Sequence, residues 1–187
     1  MNKGFGNEFN KKNNNQNKNL LVEDIELSAQ TKKAIFLARE GKLLESAKIY
    51  NALIHKGKFN HLTFHRLAGI YERLGKRKEA FQCLQKAINV KKNYAEAYCD
   101  IGRYLLDAKE IKSALNCYAK ALKYKPNLFG AYINIGNIYQ KLGNLGEAMK
   151  YFQKSLEINN KIPITFYNIG TIYAIEKNYI DAERNYK

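Results

Sequence analysis

From about Leu27 onward, apolar positions fall in stripes of helical rather than strand period. Tyr132, Ile135, Gly136 and Tyr139 stand at i, i+3, i+4 and i+7, one face of a helix, and Ala148, Phe152, Ser155 and Leu156 stand at i, i+4, i+7 and i+8 on a second. The two-helix unit recurs with a period of 34 residues. Ser46, Ala80, Ala114, Ala148 and Ala182 form one column of small residues at that spacing, and Ala34, Ala68, Gly102, Gly136 and Gly170 form another. Phe64, Tyr98, Tyr132 and Phe166 precede the second column by four positions, Tyr71, Leu105, Tyr139 and Tyr173 follow it by three, and Tyr50, Leu84, Tyr118, Phe152 and Tyr186 make a third large column.

Helices cross closely where a side chain is small, and a neighbouring large residue fills the hollow beside the crossing. The alternation of small and large columns therefore predicts stacked helix pairs. The break inside each pair falls at Gly75, Lys109, Gly143 and Lys177. Glycine ends a helix there in a left-handed conformation. Lysine at two of the four positions predicts two less tightly specified turns. Helices of this length are marginal alone in water, so neighbouring pairs must stabilise one another.

The segment AYINIGNIYQKLGNLGEAMKYFQKSLEIN resembles the tetratricopeptide pattern, in which an aromatic, Leu, Gly and Tyr lead a first helix and Ala, an aromatic and Ala lead a second. The style is similar to bacterial and cyanobacterial repeat arrays and to the repeats of O-linked sugar transferases. The resemblance implies an all-α, right-handed α-solenoid of stacked antiparallel helix pairs. It divides the chain into a degenerate capping repeat at 27–60, where Gln30 and Lys33 replace the leading aromatic and Leu, then repeats at 61–94, 95–128 and 129–162 and a truncated one at 163–187. Residues 1–22, rich in Asn and Lys, are too polar to offset the entropy of ordering and read as a disordered tail. The shortened final repeat predicts an exposed apolar edge, as in a fragment of a longer protein or a unit completed by a partner.

Charge and cysteine content narrow the function classes. The formal net charge is +15, and it is unevenly placed: residues 27–94 carry 15 Lys and Arg against 4 acids, residues 95–187 carry 13 against 9. Such a field attracts acidic partners. Drift of surface positions toward Lys, Asn and Ile in an AT-rich genome is the favoured account of it, ahead of a binding reason. Nucleic-acid binding would need aromatic side chains exposed among the charges, whereas these aromatics fall in core columns. Cys83, Cys99 and Cys117 form no CxxC pair, which favours a reducing compartment, the cytoplasm. No apolar run approaches membrane-spanning length.

In a solenoid of this kind the first helices of successive repeats line a concave groove. The columns two before and one after the Gly/Ala column face it: Lys32, Arg66, Asp100, Asn134 and Asn168, then Ile35, Gly69, Arg103, Asn137 and Thr171. Asparagine offers both donor and acceptor and pairs with the backbone of an extended peptide whatever its sequence. NIGN at 134–137 and NIG at 168–170 are similar to the asparagine ladder of O-linked sugar transferase repeats, while Asp100, Arg66 and Lys32 depart from it. An asparagine here also serves by merely bonding the next helix. Lys32, Arg66 and Arg103 supply charge for acidic side chains, without the adjacent Asn rungs of a carboxylate clamp.

The expected function is thus a scaffold that holds a protein or peptide, through Lys32, Arg66, Asp100, Arg103, Asn134, Asn137, Asn168 and Thr171. The alternative is the repeat region of a larger glycosyltransferase or sulfotransferase. A short MNKGFGN-like start before the repeats resembles some cyanobacterial sulfotransferase-linked proteins. No catalytic constellation, cofactor motif or metal set is expected. His61 and His65 are four apart but lack a third ligand and the Glu of a metalloprotease motif, and acid pairs such as Glu96 with Asp100 read as solvated faces. GFG at 4–6 lacks a preceding strand.

Overall fold

The computed structural model describes residues 27–187, which form two compact units, one ending at Ala87 and the other spanning Ile88–Lys187. The tail expected at 1–22 lies outside the described residues. Among the described residues there is helix and no strand. The first unit holds α1 (27–39), α2 (Leu43–His55), α3 (His61–Arg73) and most of α4 (Arg77–Val90). The second holds α5 (Ala95–Asp107), α6 (Ile111–Tyr124), α7 (Phe129–Lys141), α8 (Leu145–Ile158), α9 (Pro163–Ile175) and α10 (Tyr179–Tyr186).

Local signals set the helix starts. Asn60 and Thr63 exchange backbone and side-chain bonds in a capping box before α3. The Asn144 and Asn178 side chains accept from Glu147 N and Asp181 N at the heads of α8 and α10. Pro163 opens α9, where its missing N–H would have had no partner. Lys125 reaches Glu96 across 2.7 Å, so one member of the acid pair noted in the sequence faces a cation.

In the first unit the small column works by direct approach. Ser46 Oγ on α2 donates to Ala34 O on α1 at 2.7 Å, and both residues are fully buried. Asn51 then links α2 to α3 through the Tyr71 hydroxyl, and Arg73 at the end of α3 donates to Ala38 O at 2.7 Å.

In the second unit the same columns bring rings onto bare backbone. A Cβ placed on Gly136 would lie 2.6 Å from the Phe152 ring, one on Gly102 2.8 Å from Tyr118, and one on Gly170 2.7 Å from Tyr186. Ala114, Tyr118, Ala131, Ile135 and Ile138 make one core cluster from α6 and α7, and Ile133, Ala148, Phe152, Ile169 and Ile172 make the next from α7, α8 and α9. Each cluster takes side chains from two successive pairs, so the pairs hold one another in place.

The turns at Lys109 and Lys177 close in the same way as the glycine turns. Both residues adopt the left-handed conformation, φ 64° and 61°, that glycine takes at 75 and 143. Lys109 N to Leu106 O is 2.9 Å and Glu110 N to Leu105 O is 2.8 Å, matching the corresponding 3.0 and 2.9 Å bonds at Gly143 and Asn144. The turn is therefore equally well formed, because the packed helices on either side dictate it and the lysine absorbs the strain. Left-handed backbone disfavours a residue with a Cβ by roughly 1–2 kcal/mol. Lys109→Gly should accordingly raise stability by about 1 kcal/mol, measured by urea denaturation. An unchanged midpoint would mean that the turn holds no strain.

Candidate functional site

The first helices of the second unit, α5, α7 and α9, present the columns singled out in the sequence. Asn137 and Asn168 meet: Asn168 Nδ2 donates to Asn137 Oδ1 at 2.8 Å, joining α9 to α7. Asn168 is only 9% exposed and Asn137 half-buried. One N–H of Asn168 is used in that bond, which leaves its Oδ1 as an acceptor and the Asn137 amide nitrogen as a donor. Asn134 does not join them. Its Nδ2 points at Cys99 Sγ on α5, 3.8 Å away.

Asp100 and Arg103 lie half-buried one turn apart on α5, with the Arg103 guanidinium 5.2 Å from the centre of the Tyr104 ring. Thr171 uses its hydroxyl within its own helix, donating to Tyr167 O at 2.9 Å. Lys32 and Arg66 belong to the first unit, where both are exposed. Arg66 lies near the buried Tyr50 phenol: burial raises the Tyr50 pKa and the guanidinium charge opposes that shift.

Tyr167 and the contact of Cys99 with Asn134 escaped the sequence reading. Cys99 and Tyr167 each stand one residue before an Asp100 or Asn168 rung, a column that also contains the buried Ile133. That column was the signal, masked by its mixed composition. The Cys99 thiol is pushed up to about 12, first by burial and then by Asp100, with the Asn134 hydrogen bond acting the other way. Burial likewise raises Cys83 and Cys117. A neutral thiol is a weak nucleophile, so all three behave as small apolar residues.

Among the described residues no three His, Cys, Asp or Glu side chains gather as a metal ion would require. No helix among them is long and apolar enough to cross a membrane.

The stacked pairs, with a small residue at the crossings and glycine under an aromatic ring at 102, 136 and 170, define an all-α helical-repeat protein. Family models for the tetratricopeptide repeat match residues 63–94 and 130–161, and a TPR repeat model matches 102–143. The chain is a tetratricopeptide-repeat protein. Its fold is similar to that of pilF of Pseudomonas aeruginosa, with a TM-score of 0.77 at 18% identity over 88% of this chain and 75% of that one. MamA of Desulfovibrio magneticus superimposes with a TM-score of 0.69 at 17% identity, over 86% of this chain and 90% of that one. A tetratricopeptide repeat protein from Parabacteroides merdae gives 0.69 at 23%, over 85% and 63%. No curated protein matches the sequence. These structural likenesses carry the repeat fold and the family models carry the family; neither confirms the resemblance to sugar transferase repeats.

Proposed function

We propose that the protein is an interaction scaffold, not a catalyst, and that its second unit holds an extended peptide along the face made by α5, α7 and α9. The observation that carries this reading is the 2.8 Å bond between Asn168 and Asn137. It orients two amides across neighbouring first helices while leaving a donor on one and an acceptor on the other. A peptide backbone offers the complementary pair at every residue, so recognition is tolerant of side-chain sequence.

Asp100 and Arg103 add charge at the α5 end of that face, Asn134 and Thr171 line it with polar groups already bonded within the fold, and Lys32 and Arg66 on the first unit draw acidic side chains. The partner is a protein or peptide rather than nucleic acid. Three free cysteines suit a cytoplasmic setting.

The test is a screen of the full chain against a library of unstructured peptides, followed by the Asn137→Ala, Asn168→Ala double variant. Removing both ends of one hydrogen bond leaves no orphaned partner, so stability should be nearly unchanged. Affinity for a selected peptide should fall at least about tenfold, as expected for two lost hydrogen bonds of about 1 kcal/mol each. N-methylation of the peptide backbone should do the same. A double variant that binds the peptide like the parent would refute the site.

A further inference from the structure

The first unit carries a feature outside the peptide face. On α2, Lys48, Ile49, Ala52, Leu53 and Lys56 stand at i, i+1, i+4, i+5 and i+8 and therefore share one stripe. With Gln30 of α1 they line an open trough of about 260 Å³. Ile49, Ala52 and Leu53 make its floor apolar, and Lys48 and Lys56, both exposed, stand at its two ends. The volume lies below the roughly 300–1,000 Å³ of small-molecule sites, so it suits inserted side chains better than a whole cofactor.

Charge decides which side chains. Between Ser46 and Tyr71 the sequence has no Asp or Glu, while it contains Lys48, Lys56, Lys58 and Arg66. Across the first unit from residue 27 to 87, 13 Lys and Arg face 4 acids. A trough with an apolar floor and a lysine at each end, with Glu45 one turn before Lys48 as the only acid on α2, keeps a net positive charge that repels basic partners and attracts acidic ones. The two lysines are eight residues apart, about 12 Å along a helix at 1.5 Å per residue.

We infer that this trough docks an acidic amphipathic helix of a partner protein, which seats leucine-sized side chains on Ile49, Ala52 and Leu53 and sets carboxylates against Lys48 and Lys56. The apolar contact supplies the affinity and the lysines supply register and orientation. A second helix laid against α1 and α2 extends the packing that the unit already uses internally.

The experiment is fluorescence anisotropy of the full chain with a labelled helical peptide carrying two leucines at i, i+4 between flanking glutamates, at low and at physiological salt. Ala52 is exposed, so Ala52→Glu should fold normally while placing a like charge in the trough. Ala52→Glu and the Lys48→Glu, Lys56→Glu double variant should each weaken binding at least about tenfold, an effect that shrinks with salt. Peptides with Leu→Ser or Glu→Gln should bind correspondingly less. The Asn137→Ala, Asn168→Ala variant should bind this peptide like the parent, which separates the trough from the peptide face. Equal binding of the Glu→Gln peptide, or binding undisturbed by Ala52→Glu, would overturn the inference. So would dodecanoate binding to the trough where the peptide does not.

Discussion

Phe152→Ala is expected to destabilise the protein by about 3–5 kcal/mol, the range for removing a buried phenyl group from a core that cannot collapse around the space. Phe152 is fully buried, belongs to the cluster formed with Ala148, Ile133, Ile169 and Ile172, and packs directly against Gly136. Collapse is blocked from three sides, because the cluster draws on α7, α8 and α9 and each of those helices is fixed by other contacts. Since successive pairs stabilise one another, the loss should spread beyond α8. Hydrogen exchange should accelerate in α7 and α9 as well as in α8. Exchange confined to α8 would show that the pairs fold independently, contrary to the packing described above.

Gly136→Leu is the converse experiment and should cost about 1–3 kcal/mol by overpacking. The first added carbon would already sit 2.6 Å from the Phe152 ring, closer than real contacts allow. Either the ring leaves its place or α7 moves away from α8, and both uncover apolar surface. The two substitutions act on one contact, so they should not be additive. Combining Gly136→Leu with Phe152→Ala should recover part of the loss, since the leucine enters the space that the ring vacates. Thermal melts of the two single variants and the double variant form the cycle. Strict additivity would place Gly136 and Phe152 out of contact.

How much of this was legible beforehand depends on the kind of interaction. The glycine column at 102, 136 and 170 and the ring column at 118, 152 and 186 pair up in space as their 34-residue spacing required. A repeat writes the same contact several times, and a pattern seen several times is hard to produce by chance. The candidate peptide face was legible only as columns of positions. Asn134 and Asn137 carry the same amide in the same helix, yet one turns to Cys99 and the other to Asn168. Rotamer and neighbour decide that, and neither is periodic.

The turns make the same point from the other side. Lys109 and Lys177 look like weak points in the sequence because lysine dislikes left-handed backbone, yet both adopt it. Two helices already docked through their small columns outweigh a local preference of about 1 kcal/mol.

By itself the sequence determined the period, the helix pairs, the columns that build the core and the basic character of the first unit, because burial of apolar side chains is non-directional and follows from spacing alone. Only the tertiary structure decided which asparagines meet, how the lysine turns close and where α1 and α2 leave an apolar trough. Hydrogen bonds and cavities depend on angles and distances between atoms far apart in the chain, and those exist only once the helices have packed.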